Sequence, residues 1–505
     1  MNRREFLRTA AFAAVAVSGL SMPKSAMSDN TALFDIDRKD NPMSKPNVVF
    51  FFTDDQRFNT IHAVNNPAIS TPNLDKLVSR GTTFLNGYIM GGSCGAVCMP
   101  SRAMLHSGRT LYQLERQGQG IPEEHALMGE TLQKAGYNCF GTGKWHNGPR
   151  AYARSFNAGA EIFFGGMFDH WNVPACDYDP TGEYATSPKI DDPAQNNKVT
   201  WRRANHIKCG RHSSDLFADA ASDFIENDSG EKPFFAYIAF MAPHDPRSMP
   251  KQFLNMYDPK EIELPENFMP EHPFDNGWMR GRDEVLAGFP RGEDEVRRHI
   301  AEYYAMISHL DDAIGRVIAK LAEKGVLEDT IIVFAGDNGL AVGQHGLMGK
   351  QSVYDHSVHV PLIFAGPGVP QGEKREAFAY LLDIFPTLCD LVGTDTPETV
   401  EGKSLTPAMK DSSENIREYL HFAYEGFQRG IRDRQHKLIE YVVGGEHVMT
   451  QLFDLINDPR ETMNLAENSQ HAETLARLRS ELRRWRTDYA DTQEQGQSFW
   501  GVYDA

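Results

Sequence analysis

The chain alternates continuous apolar runs with amphipathic stretches. Residues 48–52, entered through Lys45-Pro46-Asn47, are all apolar and stop at Thr53-Asp54-Asp55. A run of that kind suits a strand buried on both faces, as in a parallel sheet. A helix pattern around Leu74-Asp75-Lys76-Leu77 stops at Gly81, and residues 132–136 read as a helix end before a short strand at 137–141. Residues 234–240 form another apolar strand, ending at Ala242-Pro243-His244, and 296–323 have helical spacing. The run 331–334 leads into Gly336-Asp337-Asn338-Gly339, and 362–364 is a further strand. The alternation predicts an α/β fold: a large, mostly parallel mixed sheet sandwiched by helices, with functional residues at the carboxyl ends of strands. The polar, Pro- and Gly-rich stretches 147–215 and 245–292 read as loop insertions. After about residue 414 the texture changes to short strands at 418–423, 437–442 and 452–455. A final helix follows with Leu475, Leu478, Leu482, Trp485 and Tyr489 on one stripe. This predicts a main domain over 29–414 and a smaller C-terminal α+β domain over 415–505 containing a short antiparallel sheet.

Composition narrows the classes. The 505 residues are 41% hydrophobic and 24% charged, with 42 glycines, which excludes a disordered chain, a collagen and a coiled coil. The balance of 51 basic and 69 acidic residues gives −18, so no nucleic-acid partner is expected, and attraction to an anionic membrane is disfavoured. Taken alone, the same charge also disfavours an anionic substrate. Residues 1–28 read as a cleavable export signal: Arg3-Arg4-Glu5-Phe6-Leu7, an apolar run over 9–20, then Pro23-Lys24-Ser25-Ala26. The paired arginines before Phe-Leu resemble a twin-arginine signal, which predicts a periplasmic or secreted protein. The apolar run is too short to span a bilayer and no later segment reaches that length, so no stable membrane insertion is expected. Six cysteines, none in a Cys-x-x-Cys pair, support neither a disulfide framework nor a zinc site. The sequence leaves the oligomeric state open.

The sharpest chemical signal is Cys98-Met99-Pro100-Ser101-Arg102. Pro100 suits the first turn of a helix, placing Cys98 at a helix N-terminus, a position that lowers a thiol pKa and favours anions. Asp54, Asp55, Asp337 and Asn338, each just past an apolar strand, can supply oxygen ligands. An all-oxygen set suits a hard cation, calcium before magnesium. Taken singly, Asp-Asp and Asp-Asn-Gly also make good turns; their joint placement at strand ends favours a metal site.

Cys98-x-Pro100-Ser101-Arg102, followed by Ala103-Met104-Leu105-His106-Ser107-Gly108-Arg109, resembles the signature of the type I, formylglycine-dependent sulfatases of the alkaline phosphatase superfamily. Asp54-Asp55, Gly143-Lys144-Trp145-His146, Ala242-Pro243-His244, Asp337-Asn338-Gly339 with His345-Gly346 and Lys350, and the C-terminal Phe453-Asp454-Leu455 match the family in order. The resemblance implies that Cys98 is converted to formylglycine by a formylglycine-generating or sulfatase-maturating enzyme. Its hydrate is then the nucleophile at sulfur, beside a cation held by Asp54, Asp55, Asp337, Asn338 and residue 98. It further implies that Arg102, Lys144 and Lys350 hold the sulfate oxygens, that His244 protonates the departing alcohol, and that His146 takes a proton from the second hydroxyl so that sulfate is eliminated. Three positions depart from the family pattern: Ser107, Gln344 and His359.

The segment Trp201-Arg202-Arg203, running on to His212, is a basic island in an acidic chain, and Arg202 and Arg203 with nearby aromatics are candidates for gripping a sulfated sugar. His345 and His359 are further substrate-binding candidates. Export favours a sulfated polysaccharide or oligosaccharide as substrate. The alternatives are a choline or aryl sulfate, or a phosphomonoester or phosphonate.

Overall fold

Residues 48–52 carry no polar side chain, and the strand they form, β1 (Asn47–Thr53), is buried along nearly its whole length. Val48, Phe50 and Phe52 enter one core while Val49 and Phe51 enter another, as the two-residue period of a doubly covered strand requires. The computed structural model describes residues 45–64, 66–190 and 197–505; the predicted export signal lies outside the described residues.

After β1 come α1 (Pro72–Arg80), β2 (Gly81–Tyr88), β3 (Gly91–Gly92), α2 (Cys98–Ser107), α3 (Met128–Lys134), β4 (Asn138–Trp145), α4 (Pro149–Ser155) and β5 (Ala158–Phe164). Next are the short strands β6 (Pro174–Ala175), β7 (Thr186–Ile190), β8 (Val199–Arg203) and β9 (His206–Ile207). The middle of the chain gives α5 (Ser213–Asn227), β10 (Phe234–Ala239), α6 (Lys251–Leu254), α7 (Glu293–Glu323), β11 (Thr330–Gly336), α8 (Asp355–Val358), β12 (Leu362–Ala365), β13 (Glu373–Tyr380), α9 (Ile384–Val392) and α10 (Thr406–Lys410). The last part holds β14 (Leu420–Tyr424), β15 (Gln428–Arg432), β16 (His436–Val443), β17 (Glu446–Asp454), α11 (Ala472–Asp488) and α12 (Glu494–Tyr503).

The main sheet has eight strands in the order β13-β2-β12-β11-β1-β10-β4-β5. Only β12 runs against the others. Helices α1, α5 and α7 cover one face through Leu74, Leu77, Leu216, Phe217, Leu310, Ile314 and Val317. The other face packs on α2, α3 and α9 through Met104, Leu105, Leu132 and Phe385, among others. The fold is the expected α/β sandwich, with three differences. The stretch 147–215 is not all loop, because β5 forms one edge of the main sheet. The strand expected at 137–141 runs on to Trp145 and carries Lys144. The predicted last helix, α11, is followed by another, α12.

The second sheet, β17-β16-β15-β14-β3, takes its edge strand from residues 91–92, where Gly91 has φ +104 and a Cβ would lie 1.9 Å from Ala423 O. Only glycine tolerates both. Through this strand the small sheet is bonded to the loop leading into α2. No helix among the described residues is long and apolar enough to cross a membrane.

Candidate active site

The adjacent strands β11, β1, β10 and β4 end at the same edge of the sheet, and each presents chemistry there. β1 runs into Asp54-Asp55, β11 into Asp337-Asn338 and β10 into the turn bearing His244, while β4 holds Lys144 and leads to His146. Backbone bonds knit these ends together: Asp54 N–H donates to Ala242 O at 3.1 Å and Asp337 N–H to Thr53 O at 3.0 Å. Asp55 has φ 64, which turns its side chain back toward the others. Gly143 has φ +85 and a Cβ there would meet Ala239 O at 2.0 Å, so the Gly of Gly-Lys-Trp-His is a steric requirement for bringing β4 against β10.

Cys98 is the first residue of α2 and is 2% exposed. Lys144 Nζ donates to its Sγ at 3.4 Å, and His146 Nδ1 lies 3.5 Å from the same sulfur. Lys144 also pairs with Asp54. Arg102, one turn along α2, donates from Nη2 to Asp54 Oδ2 at 2.8 Å, from Nε to Asp337 Oδ2 at 2.9 Å, and from Nη1 to Lys144 O at 3.2 Å. These bonds use three of its five N–H groups. Arg102 clamps two carboxylates in place. Lys350 Nζ lies 2.5 Å from Asp55 Oδ1 and His244 Nε2 lies 3.7 Å from Asp55 Oδ2. His244 Nδ1 is held by Asp245, whose backbone oxygen is 2.8 Å away.

The charges set the protonation states. Burial opposes ionisation of Asp54, but Lys144 and Arg102 outweigh it and hold the carboxyl well below the usual range. Burial and the facing Asp54 carboxylate push Asp337 up to about 7. Burial also pushes the Cys98 thiol up to about 12, against the lowering expected of a helix N-terminus; Lys144 offsets only part of it. The unmodified residue is thus a neutral thiol and a poor nucleophile. Burial, Lys144 and Arg102 hold His146 well below its ordinary value. Burial opposes protonation of His244, but Asp55 and Asp245 raise its pKa.

The donor set fits a divalent cation. The ligand atoms of Asp54, Cys98 and Asp337 lie within 4.8 Å of one another, as do those of Asp54, Asp55 and His244. Asp54 Oδ1 and Asn338 Oδ1 are buried without a hydrogen-bond donor among the described residues. Two orphaned oxygens converging with carboxylates at the bottom of one site suit a hard cation. Asp54, Asp55 and Asp337 balance Arg102, Lys144 and Lys350, so a bound cation leaves the centre net positive. That local charge, and not the −18 of the whole chain, meets an anion.

Among the described residues, His345 and His359 make no contact with this cluster. His359 lies between Phe58 and Tyr88, ring centroids 3.8 and 4.3 Å away, with Nε2 2.8 Å from Leu85 O. His345 stacks on Tyr354 and bonds Glu461 O at 3.0 Å. Both are packed in the interior. Arg202 covers the Phe168 ring at 5.2 Å, and Arg203 is exposed on β8. Lys208 and His206 pair with Glu161, and Arg211 with Asp219, so much of the basic island is internally neutralised.

Sequence reasoning missed the supports. Tyr303 of α7 donates from its hydroxyl to Asp55 O at 2.5 Å and accepts from Arg57 N–H, fixing the turn after β1. Glu284, paired with Arg291, accepts the N–H groups of Met348 and Gly349 and so holds the segment bearing Lys350. Neither residue sits in a motif. Each acts from a distant part of the chain.

Fold and site together define a hydrolase of the alkaline phosphatase superfamily. The sulfatase family model matches residues 46–394, and the model described as N-sulphoglucosamine sulphohydrolase, C-terminal, matches residues 343–488. The chain belongs to the sulfatase family and is a hydrolase of sulfate esters. It is 29% identical over 473 residues to an arylsulfatase of Clostridium perfringens, covering 87% of this chain and 94% of that protein. It is 24% identical over 520 residues to an N-acetylglucosamine-6-O-sulfatase of Bacteroides thetaiotaomicron, covering 88% and 87%. Among solved structures it resembles BT4656 in complex with its substrate D-glucosamine-2-N,6-O-disulfate, with TM-score 0.72, 22% identity, and coverage of 90% and 99%. It also resembles a phosphonate monoester hydrolase of Agrobacterium radiobacter, with TM-score 0.69, 21% identity, and coverage of 88% and 96%. At those identities the structural likeness concerns the fold.

Proposed function

We propose that this chain is an exported sulfatase acting on a sulfated polysaccharide or its oligosaccharides, with Cys98 oxidised to formylglycine and a divalent cation, calcium before magnesium, at Asp54, Asp55, Asp337 and Asn338. The observation that carries this reading is the convergence on Cys98 of Lys144, His146, Asp54 and Asp337, with Asn338, whose Oδ1 is orphaned, bonded to the neighbouring Asp55. A thiol held neutral by burial has little use there as it stands, whereas an aldehyde hydrate at the same position offers two hydroxyls. The cation, when bound, supplies Lewis-acid polarisation of the sulfate and of the nucleophile.

The chain's own residues do the rest. Lys144 and Lys350 stabilise charge on the sulfate oxygens, and Arg102 keeps the carboxylates aimed. His244, with Nδ1 held by Asp245, presents Nε2 to the departing alcohol. His146 Nδ1 faces position 98 and takes a proton from it. Because Cys98 is almost completely buried, the maturating enzyme must reach it before the chain has folded. Export, by the twin-arginine route to the periplasm or beyond, rests on Arg3-Arg4 and the apolar run after them. The carbohydrate substrate rests on relatives such as the N-acetylglucosamine-6-O-sulfatase and an ulvan-active sulfatase of Formosa agariphila, 28% identical over 450 residues.

The test combines intact mass with rates on 4-nitrophenyl sulfate, 4-nitrophenyl phosphate and sulfated oligosaccharides. Oxidation of the Cys98 thiol to the aldehyde lowers the mass by about 18 Da, and sulfate turnover exceeds phosphate turnover. Active protein with an unmodified Cys98, or faster phosphate turnover, sinks the reading.

A further inference from the structure

Among the described residues, two arginines near the site, Arg57 and Arg247, have no ion-paired carboxylate, and Arg57 spends its guanidinium on Asn59 Oδ1 and the Leu340 and Ala341 carbonyls. Arg102, Arg282 and Arg291 each face a carboxylate. The half-buried Arg247 has no carboxylate within 4.0 Å among the described residues. Its Nη1 donates to His299 Nδ1 at 2.5 Å, and its Nε is buried without an acceptor. Because His299 Nδ1 accepts, the ring proton sits on Nε2, and that nitrogen is also buried without a partner. His299 is 7% exposed, and burial holds its pKa down to about 3, so it stays neutral. The unmet groups are therefore both donors, beside a cation with no carboxylate in direct contact among the described residues; Asp245, Glu302 and Asp55 act on it only from further away. Unsatisfied donors around a fixed positive charge call for an anion.

The topology places this pair at the same edge of the sheet as the site. Helix α7 leads into β11, so its N-terminal end lies at the edge of the sheet where Asp337 and Asp55 stand. Tyr303 reaches Asp55, and His299 is one turn nearer the helix start, about 6 Å further out along the axis. Arg247 follows His244 by three residues.

We infer that Arg247, with His299 beside it, forms a subsite for a second anionic group, sulfate or carboxylate, on the sugar that leaves from the His244 side. The inference rests on the sulfatase reading and makes the preferred substrate a multiply charged glycan.

The test compares wild type, Arg247→Ala and Arg247→Lys on three substrates: a monosulfated N-acetylglucosamine, the same sugar with a second sulfate, and a monosulfated uronic acid. The alanine variant loses at least about tenfold more kcat/KM on one dianionic substrate than on the monoanionic one, mostly in KM, and lysine restores part. The substrate affected tells sulfate from carboxylate. Arg247→Lys keeps the charge and carries the same comparison if the alanine variant does not fold. Equal losses on mono- and dianionic substrates overturn the subsite alone, as does a wild type that turns over the monoanionic ester and neither dianionic one. A wild type inactive on every sulfate ester overturns the sulfatase reading, and the subsite with it.

Discussion

The Lys144 ammonium stands 3.4 Å from the Cys98 sulfur while it pairs with Asp54. One cation thereby ties the position of Cys98 to a carboxylate beside it.

Replacing that cation separates the two. Lys144→Met keeps most of the volume and leaves Asp54 facing Arg102 alone. Loss of one preorganised charge at the reacting centre costs about 10²- to 10³-fold in kcat. Steady-state rates on 4-nitrophenyl sulfate check this, with circular dichroism to confirm the fold. A loss confined to KM would show that Lys144 only binds.

The orphaned oxygens of Asp54 and Asn338 predict cation-dependent stability. Chelation lowers the melting temperature and calcium restores it, because a ligand that binds only the folded state stabilises it by mass action. Asn338→Ala removes one of those oxygens and raises the half-saturating calcium concentration by about 10- to 100-fold, the scale of losing even an outer partner of a metal site. Melting curves against calcium concentration measure both. A wild type indifferent to chelator and calcium would remove the metal site.

The central strands were legible because β1, β10 and β11 are buried on both faces and their sequences have no polar interruption. Strand β5 (Ala-Gly-Ala-Glu-Ile-Phe-Phe) was not, since an edge strand with three small residues and a glutamate lacks that pattern. The same holds for β2, β13 and β15, where Gly, Asn, Glu or Arg break the run. At the site, Asp54, Asp55, His244, Asp337 and Asn338 were legible because each closely follows a strand, and the rest because they stand in short motifs. The surroundings of His345 and His359 were not legible: a histidine in a motif-like context looks functional, and only packing shows the aromatic rings and backbone oxygens that hold both. Tyr303 and Glu284 were invisible because their partners are far away in sequence.

Glu284 gives the next prediction. It accepts from Met348 and Gly349 at 2.9 and 2.8 Å and pairs with Arg291 at 2.6 Å, in a buried setting. Glu284→Gln leaves the Arg291 charge unpaired and destabilises the fold by about 3–5 kcal/mol. Lys350 loses its anchorage, so kcat falls more than KM rises. Adding Arg291→Met removes the stranded charge and recovers much of the stability, which denaturant unfolding of the single and double variants measures. Additive losses would mean that the pair does not act as a unit.

His106 sets a pH dependence of stability. Its ring packs against Trp145 and Tyr237, its Nε2 is buried without a partner, and burial with nearby Arg102 lowers its pKa to about 3. In the unfolded chain the imidazole returns to about 6.5. As pH falls below 6.5 the unfolded state takes up a proton that the folded state refuses, so stability is complete above that pH and is lost on the way down toward 3. The slope is about 1.4 kcal/mol per pH unit for one histidine. His106→Leu abolishes that proton uptake, so between pH 6 and 4 the variant's stability falls less steeply by this amount, whatever its offset at pH 7. Urea unfolding at a series of pH values gives both slopes. Parallel curves for variant and wild type would show that His106 is protonated in the folded state and that its pKa is not displaced by burial.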